Sequence, residues 1–140
     1  MIVVLDTNVV VSALLTPHGP PGRVLDLVLA GALTVAFDDR ILDEYAAVLR
    51  RPKFGFADHD IMEIVDFLAH MGLAVVATPL AVLLPDGDDL PFLEVASAAS
   101  AILVTGNLRH FPEALCSPVT VMAPAALLDQ LSSSSGHTPG

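Results

Sequence analysis

The stretch IVVLDTN at residues 2–8 decides the fold class. Its first four residues are apolar and mostly β-branched, which is typical of a strand buried on both faces of a sheet. Asp6, Thr7 and Asn8 end that strand and are residue types that cap helices, and a helix is predicted at residues 9–15. A buried strand followed at once by a helix predicts a βαβ unit and therefore a parallel sheet.

The same alternation of strands and helices continues along the chain. Further strands are predicted at residues 33–37, 73–77, 101–105 and 119–122, and further helices at residues 23–30, 39–50, 61–71, 90–100 and 124–131. The pattern predicts one α/β domain over residues 1–131, a three-layer α/β/α sandwich around a central, mostly parallel five-stranded sheet. The Ser/Gly/Pro composition of residues 132–140 predicts a disordered C-terminal tail.

Composition narrows the classes of function. The 140 residues are 54% hydrophobic and include 16 acidic against 6 basic side chains, a net charge of −10. No broad basic surface for nucleic acid is therefore expected. A single cysteine, Cys116, excludes an internal disulfide framework and a cysteine-rich zinc site. Without a basic, signal-like N-terminus or an apolar run long enough to span a bilayer, we expect a cytoplasmic protein with no membrane segment.

Polar residues follow two of the predicted strands. Asp6 comes directly after the first strand, and Asn107 stands just past the strand at residues 101–105. Taken singly, Asp6 could be a helix cap and Asn107 a turn residue. Ligands of parallel sheets bind at the carboxyl ends of the strands, however, and both residues are expected at that edge.

A third acid, Glu44, lies within the predicted helix at residues 39–50. With 100° of rotation per residue, Glu44 falls on the border of the apolar arc of this helix, whereas Asp43 points to solvent. A carboxylate in that position either reaches solvent or lines a pocket. The helix alone leaves both interpretations open.

Three more acids lie in the loop Asp86-Gly-Asp88-Asp89, which leads into a helix. A helix N-terminus favours one negative charge, but three carboxylates repel one another unless a cation lies among them. Clustered oxygen ligands suit Mg²⁺ or Mn²⁺, and the spacing is not that of an EF-hand. The acids at this sheet edge together predict a site for a hard divalent cation.

In these motifs the chain resembles the PIN-domain nucleases, specifically the small single-domain, VapC-like toxins of prokaryotic toxin–antitoxin pairs. The likeness covers residues 2–131 and rests on four motifs in the same order: Leu5-Asp6-Thr7-Asn8, Asp43-Glu44-Tyr45, DGDDLPFL at residues 86–93 and LVTGNLRHF at residues 103–111. It implies a Mg²⁺- or Mn²⁺-dependent endoribonuclease that is neutralised by an antitoxin protein and forms a homodimer.

The resemblance also implies roles for individual residues. The catalytic set is Asp6, Glu44, Asp89 and Asn107; the metal ligands are Asp6, Asp89, Asp88 and Glu44; the supporting residues are Asn8, Thr105 and Asp86. Many relatives have Asp where this chain has Asn107, which offers only a neutral oxygen. A second metal ion would consequently be held weakly, and a one-metal resting site is expected.

The basic residues nearest to this predicted site are Arg109 and His110, which are the predicted substrate contacts. Arg50, Arg51 and Lys53 are interpreted instead as favourable charges at the C-terminus of a helix. With so few cations, weak RNA binding in a protein regulated by a partner is expected. An acidic cleft also invites a basic inhibitory segment of that partner.

The principal alternative is a catalytically weak or inactive PIN-fold module that binds protein or RNA, for which Asn107 and the acidic surface are the arguments. Other doubly wound classes lack their signatures. A receiver domain needs a lysine late in the sheet, and the only lysine is Lys53. An Asp-x-Asp phosphatase needs an acid at Asn8, and no glycine-rich phosphate loop follows a strand.

Overall fold

A computed structural model describes residues 1–135. In this part of the chain five strands form one sheet in the order β3-β2-β1-β4-β5, and every neighbouring pair is parallel. The strands are β1 (Ile2–Leu5), β2 (Thr34–Phe37), β3 (Leu73–Ala74), β4 (Ile102–Val104) and β5 (Val121–Met122). The first strand thus lies at the centre, where Val3, Val4 and Leu5 are fully buried. The predicted α/β class and five-stranded parallel sheet are confirmed.

Helices connect the strands and cover the sheet. They are α1 (Thr7–Leu15), α2 (Pro20–Leu29), α3 (Asp39–Leu49), α4 (Asp58–Met71), α5 (Leu90–Ala99), α6 (Glu113–Cys116) and α7 (Pro124–Ser135). Helix α5 packs on β1, β2 and β4, while α1 and α7 pack against α2, and α4 packs against α3. Short 3₁₀ turns lie at Pro52–Phe54, Gly87–Asp89 and Leu108–His110.

Three helices begin earlier than predicted, and one of them is α4, which starts at Asp58 instead of residue 61. Helix α1 starts at Thr7, because Asp6 alone serves as its N-cap. Helix α2 starts at Pro20, although the prolines had indicated a loop, because proline is well tolerated in the first turn, where its missing N–H has no helical partner. Within α2, a Cβ on Gly22 would lie 2.0 Å from the Pro17 carbonyl oxygen, so only glycine lets the preceding loop pack this closely.

The edge strand β3 is two residues long instead of the predicted five. One further sheet bond joins Val75 N to the Phe37 carbonyl at 2.9 Å, and the chain then leaves the sheet. It is drawn towards α5, where Leu80 N donates to Glu94 Oε2 at 2.7 Å. The apolar residues at 75–77 had favoured a longer strand, but this contact lies outside the range of a local pattern.

The last helix passes the predicted start of the tail. Residues 132–135 continue α7, since serine is only moderately unfavourable in a helix and no glycine or proline occurs before Gly136. The remainder of the predicted tail, residues 136–140, lies outside the described residues. Within residues 1–135, no helix combines the length and apolar character that crossing a membrane requires.

Candidate active site

Asp6 lies at the carboxyl end of the central strand. Its backbone N donates to the Val104 carbonyl at 2.9 Å, which places it beside the end of β4. Thr7 N donates to Asp6 Oδ1 at 2.8 Å, and the Thr105 hydroxyl donates to Asp6 Oδ2 at 2.8 Å. Burial raises the pKa of Asp6, and these two hydrogen bonds oppose that effect. The carboxylate is thus held in one orientation at the floor of the site.

Glu44 reaches the same place from α3. The hydroxyl of Thr7 donates to Glu44 Oε2, so the acid is attached to the start of α1. The next residue, Tyr45, is fully buried and donates its hydroxyl to the Leu5 carbonyl, which anchors α3 to the end of β1. Glu44 itself is half-buried, as expected at the border of an apolar arc, and this burial raises its pKa.

Asp89 comes from the turn before α5 and is only 9% exposed. Its Oδ2 atom is buried and forms no hydrogen bond with residues 1–135, although His110 Nδ1 lies 3.0 Å away. The two side chains form an ion-pair contact, and the interaction with His110 acts to lower the pKa of Asp89. Burial, and then the negative charges of Asp6 and Asp86, raise the pKa of Asp89 to about 6.

The acids border an open cleft of about 390 Å³. Five carboxylates line it, those of Asp6, Glu44, Asp86, Asp88 and Asp89. Nearby, the Asp88 N donates to Asp86 Oδ1 at 3.0 Å, which shapes the acidic turn. So many like charges around one space favour a cation there.

The structure brings most of the predicted residues to this cleft. Besides the five acids, Asn8 and His110 line it, and Thr105 lies fully buried beneath Asp6. Asn107 is half-exposed and is not among the lining residues; its backbone N donates to the Thr105 hydroxyl at 3.0 Å. Arg109 is exposed and also lies outside the lining.

Arg51 is a cleft residue that the sequence interpretation placed elsewhere. It lines the cleft, and its positive charge acts to lower the pKa of Glu44, whereas Arg50 points to Asp58 at 3.0 Å. The sequence spacing between Glu44 and Arg51 is a signal that could have placed Arg51 at the cleft. Arg51 follows Glu44 by seven residues, about two helical turns, and lies just past the end of α3 at Leu49, where it lines the same cleft as Glu44.

Glu94 is a buried acid that the motifs did not indicate. It is 4% exposed, pairs with Arg40 Nη1 at 2.8 Å and accepts a hydrogen bond from Leu80 N. Arg40 also pairs with Asp38 at 2.7 Å. The signal in the sequence that could have found Glu94 is that it is the one charged residue in the largely apolar α5. Glu94 ties the segment after β3 to α5 and does not line the cleft.

These side chains fit a divalent metal ion. The donors are mainly carboxylate oxygens, which hard cations prefer, and a buried oxygen of Asp89 lacks a hydrogen-bond partner within residues 1–135. Ligand atoms of Asp86, Asp89 and His110 all lie within 4.8 Å of one another. A cation would therefore supply the missing contact and reduce the repulsion among the acids.

The family model of the PIN domain matches residues 2–109. The chain belongs to the PIN domain family. A protein from Methanocaldococcus jannaschii, the uncharacterized protein MJ1680, is 31% identical to this PIN domain over 108 residues, which cover 75% of this chain and 70% of that protein. The family predicted from the motifs is confirmed, and PIN domains are generally nucleases.

Solved structures similar to this PIN domain include VapBC2 from Rickettsia felis bound to a DNA fragment from their promoter. That structure has a TM-score of 0.62 at 20% identity and covers 88% of this chain and 98% of its own. The structure of FitAcB from Neisseria gonorrhoeae has a TM-score of 0.58 at 21% identity, covering 89% and 99%. At such identities these structures establish a shared fold.

Proposed function

We propose that this PIN domain is a divalent-metal-dependent endoribonuclease and the toxin of a toxin–antitoxin pair. The observation that carries the proposal is the convergence of Asp6, Glu44 and Asp89 from three separate elements on one open cleft. Asp89 retains a buried oxygen that accepts no hydrogen bond from residues 1–135 and has the His110 imidazole as its ion-pair contact at 3.0 Å. Without a cation this arrangement is electrostatically unfavourable, so a structural role alone does not account for it.

In this proposal Asp6 and Asp89 hold Mg²⁺ or Mn²⁺, and Asp88 and Glu44 provide further oxygen ligands. A bound ion lowers the pKa of a water molecule and offsets negative charge on the phosphoryl oxygens. Asn107 brings no charge and does not line the cleft. One resident ion therefore agrees with the ligand set better than two.

Two side chains, those of Thr105 and Asn8, help to position the acids. The hydroxyl of Thr105 accepts from Asn107 N and directs its own proton to Asp6 Oδ2, which fixes the direction of that carboxylate. Asn8 Oδ1 accepts from Gly106 N at 3.1 Å and thereby joins the start of α1 to the loop after β4. Because these bonds already exist without an ion, part of the ordering that metal binding requires is in place beforehand.

Glu44 is suited to orient a water molecule. Thr7 holds Oε2, while Oε1 makes no hydrogen bond to residues 1–135 and remains available at the cleft. Its raised pKa makes this carboxylate a better proton acceptor than an exposed glutamate.

Substrate binding is proposed to be weak and local. The cleft offers Arg51 and His110 as basic groups, and Arg109 lies next to His110 in the chain. Against a net charge of −10, these few contacts with phosphate give modest affinity for RNA. Recognition then depends on the shape of the RNA and on the bound ion.

We also propose an antitoxin partner and a homodimer in the cytoplasm. The similar structures VapBC2 and FitAcB, whose names denote paired proteins, support the partner. The five carboxylates of the cleft are complementary to a basic segment of such a partner. Val76 (97% exposed) and Leu83 (92% exposed), which follow the edge strand, support a protein interface. Light scattering at several protein concentrations tests whether the chain forms a homodimer.

The decisive experiment is RNA cleavage with purified protein in Mg²⁺, Mn²⁺ or EDTA on tRNA, rRNA and mRNA. Glu44→Gln and Asp43→Asn form a matched pair, because both neutralise an acid on α3 but only Glu44 lines the cleft. We expect metal-dependent cleavage that Glu44→Gln and Asp6→Asn lose and Asp43→Asn retains. Absence of cleavage together with absence of calorimetric metal binding would favour the non-catalytic binding module.

A further inference from the structure

Among residues 1–135, His110 contributes the one imidazole of the cleft lining. It ends the 3₁₀ turn after β4 and is 39% exposed at its side chain. Its Nδ1 faces Asp89 Oδ2 at 3.0 Å, and a ligand atom of Asp86 completes a trio within 4.8 Å. Two carboxylates and a ring nitrogen therefore surround one small space.

The contact between His110 and Asp89 has the spacing of two metal ligands. The two atoms are close enough for an ion pair, and apart from this contact Asp89 Oδ2 has no partner within residues 1–135. Around an octahedral ion with bonds of about 2.1 Å, neighbouring ligand atoms lie about 3 Å apart. An ion bound between Nδ1 and Oδ2 would satisfy both atoms with little movement of either side chain.

We propose that His110 Nδ1 and Asp86 join Asp89 in coordinating the ion of the cleft, and that this mixed nitrogen–oxygen ligand set makes the cleft bind Mn²⁺ in preference to Mg²⁺. This inference deepens the proposed function and depends on its metal-binding cleft. Magnesium prefers oxygen ligands and retains its waters, whereas first-row transition ions accept imidazole readily. The nitrogen thus determines which ion occupies the site.

The test measures metal binding by the full chain, independently of RNA cleavage. Mn²⁺ affinity is followed by the loss of the free-ion electron paramagnetic resonance signal, and pulsed measurements detect a coordinated ¹⁴N nucleus. Mg²⁺ affinity is obtained by competition. We expect Mn²⁺ to bind about tenfold more tightly than Mg²⁺, with a ¹⁴N coupling in the bound state.

Two histidines provide the matched variants. His110→Phe removes the proposed nitrogen, while His59→Phe removes the histidine of an exposed trio with Asp60 and Glu63 on α4. We expect His110→Phe to lose the ¹⁴N coupling and to weaken Mn²⁺ binding about tenfold or more, with Mg²⁺ affinity nearly unchanged. His59→Phe should retain both properties. His110→Asn, which keeps a polar side chain, gives the same comparison if the phenylalanine variant does not fold.

Either of two results would contradict the proposed role of His110. Bound Mn²⁺ without a ¹⁴N coupling, or unchanged Mn²⁺ affinity in His110→Phe and His110→Asn, would show that His110 is only an ion-pair partner of Asp89. RNA cleavage that still requires Glu44 and metal would in that case leave the nuclease proposal intact. If the unaltered chain bound neither Mn²⁺ nor Mg²⁺, both proposals would be overturned.

Discussion

Replacing Asp89 by Asn should stabilise the metal-free protein at alkaline pH. In the folded protein, burial and the charges of Asp6 and Asp86 raise the pKa of Asp89 from 3.8 to about 6. That shift of about 2 units corresponds to about 3 kcal/mol at about 1.4 kcal/mol per unit. Because neighbouring acids share the interaction, we expect Asp89→Asn to raise the free energy of unfolding by about 1–3 kcal/mol near pH 8.

The sign of the pH dependence distinguishes this effect from repacking. The folded state holds the Asp89 proton more tightly than the unfolded state, so this group lowers stability as the pH rises from about 4 to about 7. The advantage of Asp89→Asn should therefore be about half as large near pH 5 as near pH 8. Asp43→Asn, at an exposed position on α3, should change stability by less than about 0.5 kcal/mol at either pH.

Urea unfolding in EDTA, at both pH values, measures these differences. Adding Mg²⁺ or Mn²⁺ at about 100 times its Kd should stabilise the unaltered protein by about 2.7 kcal/mol and the Asp89→Asn variant much less. The difference in the free energy of unfolding between the two proteins should therefore shrink or change sign. If Asp89→Asn destabilised the metal-free protein equally at both pH values, the carboxylate would not be a site of electrostatic repulsion. Repulsion among Asp89, Asp6 and Asp86 would then not destabilise the metal-free protein.

Three further changes test the framework around the acids. Tyr45→Phe leaves a buried carbonyl at the end of β1 without its donor and should lower the free energy of unfolding by about 1–3 kcal/mol in urea. Gly22→Ala places a Cβ against the Pro17 carbonyl and should destabilise by about 3 kcal/mol or more, seen as a lower Tm. Thr105→Val removes the donor to Asp6 and should weaken metal binding about 10–100-fold by calorimetry.

Each of these changes has its own control. Gly87→Ala meets no atom within 4 Å, so its stability should stay within about 0.5 kcal/mol of the unaltered protein. Equal losses at the two glycines would contradict the close-contact argument. Thr105→Ser keeps the hydroxyl and should restore metal affinity. A Tyr45→Phe protein as stable as the original would mean that the Leu5 carbonyl finds another donor.

Local sequence patterns predict the elements whose burial follows directly from the spacing of their own apolar residues. The continuous apolar run of β1 and the helical spacing of α3 indicate their burial directly, and Glu44 lies at the margin that its helix predicts. Long-range contacts determined the rest. The short β3 depends on a hydrogen bond to Glu94, 14 positions beyond Leu80, which no local window contains.

The candidate site shows the same division. The position of Asp6 after a strand, and of residues 86–89 before a helix, indicates the candidate acids, whereas the choice of Asp89 within that loop rests on the resemblance to the PIN-domain family. The pairing of His110 with Asp89 and the place of Arg51 depend on how separate elements meet. Arg109 and Asn107 belong to the same loop as His110, yet only His110 faces the cleft, because the 3₁₀ turn rotates successive side chains in different directions.

The central place of β1 has a consequence for synthesis. β1 lies between β2 and β4, which both follow it in the chain, and the cleft needs residues as distant in sequence as Asp6 and His110. A nascent chain that lacks β4 has neither Thr105 beneath Asp6 nor the partner of Asp89. The complete cleft therefore forms only after residue 110 has been translated, because the acids of the earlier elements lack the loop after β4 until then.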